Sequence, residues 1–373
     1  MLQSSIEATA GALGQDERSY ARLMRLLVPS WGKVLSDILG PPRLPRHPLL
    51  SLRFGLRALF PAATFARTYF RDERARGLFA GMAAHAIAPL EHWTTAAFGL
   101  MLGAAGHVVG WPLVQGGSQK LADALAACLL SLGGTIETGV RVRSLDEVPK
   151  SRVVLFDVTP RQLGAIVGDK YPAAYRRRLQ SHHYGPGAFK VDWALDGPIP
   201  WKARECLQAA TVHAGGTLAE IASAERAVWE GKHPEHPFVL LAQQSLFDPP
   251  RAPRGKQTAW GYCHVPNGSA EDMTERIERQ IERFAPGFRE RILARHVMAP
   301  AALEEYNANY IGGDIVGGAF SPWNVFVRPL GRWKPYATPL KGIYLCSASM
   351  PPGGGVHGMC GYYAARLALR ERF

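Results

Sequence analysis

The sequence predicts an α/β fold, and three stretches of the chain carry that prediction. The C-terminal stretch runs Gly342-Ile343-Tyr344-Leu345-Cys346-Ser347-Ala348, then Ser349-Met350-Pro351-Pro352-Gly353-Gly354-Gly355, then Val356-His357-Gly358-Met359-Cys360-Gly361. It reads as a buried strand, a Pro/Gly turn and a helix. Residues 117–156 read as a helix followed by strands. Residues 189–264 contain several strands with period-two alternation, and the helices around them suggest a mostly antiparallel sheet.

Composition sets the frame. The chain has 373 residues, 47% of them hydrophobic and 20% charged, enough to bury a large core in two domains. The net charge of +12 favours anionic partners such as lipid headgroups or nucleic acid. No zinc finger, aromatic RNA-binding box or Lys/Arg block is present, so no nucleic-acid partner is expected. The five cysteines, Cys128, Cys206, Cys263, Cys346 and Cys360, are widely spaced with no C-x-x-C. That spacing indicates neither a metal site nor a redox dithiol. Cys128, Cys263 and Cys346 lie in apolar runs and read as buried reduced thiols, which fits a reducing, cytoplasmic setting. The N-terminus shows no charged-then-apolar signal pattern.

Residues 1–110 read as a helical segment. Residues 21–28 are amphipathic at helical spacing, and Pro41, Pro42, Pro45 and Pro48 then break any helix. An arginine-rich segment over 53–76 interleaves Phe54, Leu56, Leu59, Phe60, Phe65, Tyr69 and Phe70. Packing of its aromatic face on the core is the preferred reading, and peripheral contact with a membrane surface is the alternative. Residues 94–114 contain no Asp, Glu, Lys or Arg. Their glycines argue for a buried helix rather than a membrane span, leading into a strand at Leu113-Val114.

Residues 111–165 form a second segment. Leu121, Leu125 and Leu129 make a helical stripe over 117–132, ended by Gly133-Gly134. Residues 135–145 then read as one strand and 153–156 as another. Residues 166–335 form a third segment with strands near 189–195, 238–243 and 258–264, and a helix over 273–284. Lys190, Asp192 and Trp193 sit on the first of these strands, and alternation turns only one face of it toward a cavity. Residues 336–373 close the chain.

The closing turn carries the chemistry. Glycines let the backbone approach a ligand closely, and the helix after them presents free N–H groups and a positive dipole end. That pair suits an electron-rich or anionic cofactor group. Gly353, Gly355 and Gly358 spell G-x-G-x-x-G, but too few residues follow for the βαβ unit this fingerprint opens. The turn therefore closes a nucleotide-binding domain. His107, His213 and His264 lie in apolar settings and read as hydrogen-bonded core histidines. Pro234 makes His233-Pro234-Glu235-His236 a loop rather than a zinc helix, and no metal site is expected.

Further motifs carry a resemblance. These are residues 116–125, Gly133-Gly134-Thr135-Ile136, Val140-Arg141-Val142, Asp157-Val158-Thr159-Pro160-Arg161, residues 189–193, Pro249-Pro250-Arg251-Ala252-Pro253 and the closing run from Tyr336 to Gly358. In order and spacing the chain resembles phytoene-desaturase-like FAD-dependent oxidoreductases from about residue 77 onward. The resemblance implies a split, partial FAD-binding Rossmann-like domain with an inserted α+β substrate domain. It places Val142 near the adenine and Ser347 and Ala348 along the ribityl-phosphate. Gly354 and Gly355 form the cradle, and the amides of Val356, His357, Gly358 and Met359 lie at the flavin. Members of that family begin with a strand, a glycine turn and a helix, whereas Met1 here leads into residues 2–9 without an apolar strand or glycine turn. The sequence is accordingly read as lacking its first βαβ unit, with little flavin retained by this chain alone.

The implied activity is FAD-dependent dehydrogenation, desaturation or isomerisation at a C–C bond of an apolar small molecule. No side chain stands out as catalytic acid or base, and His357 reads as polar lining. Two alternatives stand beside it. One is an amine-oxidase-type flavoenzyme, with Trp323 or Tyr362 contributing to an aromatic sandwich. The other is a non-catalytic remnant that no longer holds FAD. The sequence leaves the oligomeric state open.

Overall fold

The structure, a computed structural model, describes residues 1–320 and 334–373. Trp323 lies outside the described residues.

The first hundred residues fold into seven helices: α1 (Ile6–Gly11), α2 (Glu17–Leu27), α3 (Trp31–Ile38), α4 (Pro48–Ala58), α5 (Ala62–Tyr69), α6 (Glu73–Ala83) and α7 (Ala96–Val108). Local chemistry starts them. Ser5 accepts from the Ala8 N–H at the head of α1, and Asp72 accepts from the Arg74 N–H at the head of α6. Pro48 opens α4, where a missing N–H costs nothing. Met24, Phe65, Phe70, Phe79 and Leu100 fill the shared core. The charge-free stretch is α7, packed on α6. A Cβ at Gly99 would stand 2.7 Å from the Phe79 ring, so the small residues there serve close helix packing. No single helix among the described residues is long and apolar enough to cross a membrane.

Next come α8 (Gln119–Ser131), β1 (Val154–Phe156), α9 (Pro160–Val167) and α10 (Ala173–Gln180). The expected α8 forms, yet none of its residues is buried. Leu121, Leu125 and Leu129 face solvent, as do Ile136 and Val140. The strands expected at 113–114 and 135–145 do not form. A parallel strand needs hydrogen-bonded neighbours and cover on both faces, and no described segment supplies either there. Cys128, expected to be buried, is exposed for the same reason.

The second region contains β2 (Gly187–Leu195), β3 (Thr211–Ala214), α11 (Leu218–Trp229), β4 (Val239–Ala242), β5 (Gln257–Val265), α12 (Thr274–Phe284), β6 (Ile292–Met298) and α13 (Pro300–Tyr306). Its five strands are antiparallel in the order β3-β4-β5-β2-β6. Period-two alternation gives the sheet two unlike faces. Val191, Trp193, Cys263 and Leu241 pack with Ile277 and Ile281 of α12. The Trp193 indole N–H donates to Glu278 at 3.0 Å, and Arg295 pairs with the same carboxylate at 2.8 Å.

The chain closes with β7 (Ile343–Leu345) and α14 (Met359–Arg372). β7 runs parallel to β1, with Val154 opposite Ile343 and Phe156 opposite Leu345. Phe156, Leu163, Tyr171, Leu345, Met350 and Ala364 form the core beneath this pair.

Candidate cofactor site

The candidate site lies where β1 and β7 end. Parallel strands leave a crevice at their carboxyl edge, and ligands of open α/β sheets bind there. Past β1 stands Asp157, whose carboxyl is raised above the usual carboxylate range by burial. Past β7 stand Cys346, Ser347 and Ala348. Burial pushes the Cys346 thiol up to about 12, with the nearby Asp157 charge adding to the shift. It is therefore no nucleophile at neutral pH.

Ser347 is the most informative of these residues. It is 4% exposed, and among the described residues its hydroxyl has no hydrogen-bond partner. Buried hydroxyls are normally paired, so this one, at the carboxyl edge of β7, is a candidate to meet a polar group, as is the Thr159 hydroxyl past β1. Ala348 is half-buried beside it.

The turn then leads to α14. Gly354, Gly355, Val356 and Gly358 are exposed, and Val356 is 93% exposed. Gly355 has φ +149°, and a Cβ there would meet the His357 ring at 3.0 Å. Gly358 is the N-cap of α14 and offers no side-chain cap. Two of the four predicted amides are engaged within the turn: the His357 N–H donates to the Gly355 carbonyl at 3.0 Å, and the Met359 N–H donates to His357 Nδ1 at 3.0 Å. Burial lowers the His357 pKa, and a hydrogen bond to the Gly353 backbone partly offsets this. His357 is therefore a neutral cap on the helix tip, consistent with a dipole end that disfavours a cation.

A strap over residues 311–320 ties this turn to the second region. Asp314, fully buried, accepts from the amides of Gly185, Val316 and Gly317 at 2.8, 2.8 and 3.0 Å. The Ser349 hydroxyl donates to the Gly317 carbonyl at 2.6 Å, and His182 bonds the same carbonyl at 3.0 Å. Phe320 packs edge-on to Phe98 of α7 at 5.2 Å. Sequence reasoning missed Asp314 and Ser349, because a carboxylate that organises three loop amides has no periodic signature.

The sheet face turned away from α12 carries Lys190 and Asp192, which pair with each other, together with Trp260 and Tyr262. Lys190 lies 5.7 Å from the Trp260 ring centre, and Trp260 stacks on Tyr262 at 6.3 Å. Trp193 points the other way, into the α12 core. Val142 stands apart from the turn in sequence and is half-buried in an unpaired stretch. His233 meets Ser269 at 2.7 Å in a loop, and no group of three metal-ligating side chains occurs among the described residues.

Comparison with known proteins decides the family: residues 39–361 match flavin containing amine oxidoreductases. The chain belongs to that family. Pyridine nucleotide-disulfide oxidoreductase domain-containing protein 2 of Mus musculus is 28% identical over 71% of this chain and 53% of its own length, and that of Rattus norvegicus matches equally. The chain thus spans about half the length of these curated relatives. Among solved structures, an oxidoreductase from Methanosarcina mazei superposes with a TM-score of 0.56 at 14% identity, covering 92% of this chain and 74% of that one. Putrescine oxidase bound to putrescine gives 0.53 at 13% identity, over 94% and 74%. These likenesses confirm the α/β fold expected of a Rossmann-like flavoenzyme.

The family's cofactor is FAD, and the closing turn fits it. The partnerless Ser347 hydroxyl, the Cβ-free cradle at Gly354 and Gly355 and the Val356 and Gly358 amides, which make no bond among the described residues, suit polar and electron-rich groups of a flavin. The Val142 segment adds no comparable feature.

Proposed function

We propose that this chain is the substrate-binding and flavin-facing part of an FAD-dependent oxidoreductase of the phytoene-desaturase-like type. It would act on an apolar molecule by dehydrogenation, desaturation or isomerisation at a C–C bond. One observation carries the flavin-facing part: the buried, partnerless hydroxyl of Ser347 at the carboxyl end of β7, beside an open glycine turn. FAD when bound supplies a two-electron acceptor.

The chain's own residues supply the rest. Ser347 would donate to or accept from the cofactor's polar chain. The head of α14 would stabilise negative charge on the reduced ring, as a helix N-terminus does. His357, held neutral, would line the site without moving a proton. Leu240, Tyr262, Trp260 and Met298 share one face of the sheet by register with the Lys190–Asp192 pair, and this largely aromatic and aliphatic set supports a substrate with an extended apolar part.

Titration of the purified chain with FAD, followed by flavin fluorescence, tests the site. Ser347→Ala is expected to weaken binding about tenfold, the loss of one hydrogen bond of ~1.4 kcal/mol. Unchanged affinity would remove the site from this turn. Amine oxidation is the second reading, favoured by the family match and by the fold shared with putrescine oxidase. Anaerobic bleaching of the FAD-loaded protein separates the two. Bleaching by polyenes supports the C–C reading, and bleaching by primary amines alone replaces it.

A further inference from the structure

We propose that α4 and the corner after it form a docking face for an anionic lipid bilayer. The inference stands independently of the flavin reading.

The observation is an apolar stripe on the outside of the helical layer. Leu49, Leu52 and Leu56 are 74%, 56% and 56% exposed. Leu59, Phe60 and Trp93 are 44%, 45% and 62% exposed. The Thr94 N–H donates to the Leu59 carbonyl at 2.9 Å, which sets Trp93 beside the end of α4 and makes the stripe continuous. Successive residues on a helix turn by about 100°, so the exposed leucines and Phe60 occupy one arc about 100° wide. Phe54 and Ala58 lie on the opposite side and are buried. The aromatic face of this segment therefore packs on the core as expected, while a second, leucine face is left outside. Leucines exposed on three consecutive turns mark a face that something covers.

Charge identifies what covers this face. Between Asp37 and Asp72 the sequence contains the arginines 43, 46, 53, 57, 67 and 71, and no Asp or Glu. Arg53 and Arg57 follow the leucine arc along one flank, between it and the buried side. Arg46 stands one turn before. Among the described residues no carboxylate pairs with Arg46, Arg53 or Arg57 in a salt bridge. At the head of α6, where acids are present in the sequence, Arg74–Asp72 and Arg76–Glu73 pair at 2.8 Å. An apolar arc flanked by unneutralised arginines, with a tryptophan at its end, is the pattern of a helix lying in a membrane interface. The leucines enter the acyl boundary while the guanidiniums reach the phosphates.

The helix lies on the bilayer and does not cross it. α4 and α5 together have the length and composition of a span, but they meet at 97°. α5 also buries Ala62, Ala63, Phe65 and Ala66 in the protein core.

Co-sedimentation of the purified chain with vesicles tests this. One set is phosphatidylcholine alone, and the other contains 30% phosphatidylglycerol. The protein is expected to pellet with the anionic vesicles and to be released by high salt. R53Q/R57Q should weaken partitioning about 30-fold, taking about 1 kcal/mol per arginine near an anionic surface. L49S/L52S/L56S should abolish it while leaving the melting temperature unchanged, since these side chains are exposed. L121S/L125S/L129S, on the separate exposed stripe of α8, should bind like the parent. Three outcomes overturn the proposal. Binding may be equal for both lipid sets, or it may be lost with the α8 variant and kept with the α4 variant. The third is a chain dimer that L49S/L52S/L56S dissociates without any vesicle binding, which would assign the face to a second copy.

Discussion

His85 and His213 meet through their Nε2 atoms at 3.1 Å, where the helical layer touches the five-stranded sheet. Each ring nitrogen that donates needs the other to accept, so the contact holds while the pair remains neutral or shares one added proton. Burial lowers the His85 pKa to about 3, with the neighbouring His213 charge adding to it, and burial lowers His213 to about 4.

Acid stability follows from that pair. Both folded-state values lie below the ordinary histidine value of 6.5. The unfolded chain therefore binds protons first, and the pair's contribution is complete above about pH 6.5 and lost as pH falls toward 4. The slope has a ceiling of about 1.4 kcal/mol per pH unit per imidazole, and the residual solvent exposure of both rings keeps it lower. Urea midpoints between pH 7 and 4 should fall, and His213→Gln should flatten the decline. An identical decline in that variant would acquit the pair.

Glu278 holds the sheet to α12. Its carboxylate is 3% exposed and takes the Trp193 indole N–H and the Arg295 guanidinium. Glu278→Ala leaves a buried indole donor without a partner and Arg295 without its acid. A loss of about 2–4 kcal/mol is expected in denaturant unfolding. Trp193→Phe keeps most of the packing and should cost about 1–2 kcal/mol. A Glu278→Ala variant as stable as the parent would show that water replaces the carboxylate.

Gly355→Val should abolish FAD binding. At φ +149° only glycine is comfortable, and an added side chain would strike the His357 ring that caps α14. Flavin content per polypeptide, read from the visible absorbance of the purified variant, gives the answer. Parent-like content would mean that the cradle lies elsewhere.

The five free cysteines should divide in reactivity. Cys128 is exposed on α8, whereas Cys263 is buried with its thiol pushed upward by burial. A thiol reagent at pH 8 should modify Cys128 rapidly in the folded chain and Cys263 only after denaturant is added. Rapid native modification of Cys263 would contradict its place beneath α12.

Much of the fold was legible in local pattern. The strands at 187–195, 239–242 and 257–265 and the helix over 274–284 were expected within a few residues, because alternation and a three-to-four spacing report directly on which face is buried. The closing strand, Pro/Gly turn and helix were legible too, since a short apolar run followed by prolines and glycines ends one element before the next begins. The hydroxyl of Ser347 was named for its place in a motif, but its lack of a partner could not be read from sequence. The strand over 135–145 was predicted and is not formed. Its apolar alternation records a preference for a sheet, and a sheet requires neighbours that no described residue provides.

By itself, the sequence determined most of the helices and antiparallel strands and the strand–turn–helix that closes the chain, because periodicity and glycine placement are local properties. Only the tertiary structure decided which side of β2 turns Lys190 outward and Trp193 inward, that His85 reaches His213, and that α8 and α4 keep leucines in solvent. Those facts depend on what lies across from each face, and a chain read one residue at a time does not specify its distant neighbours.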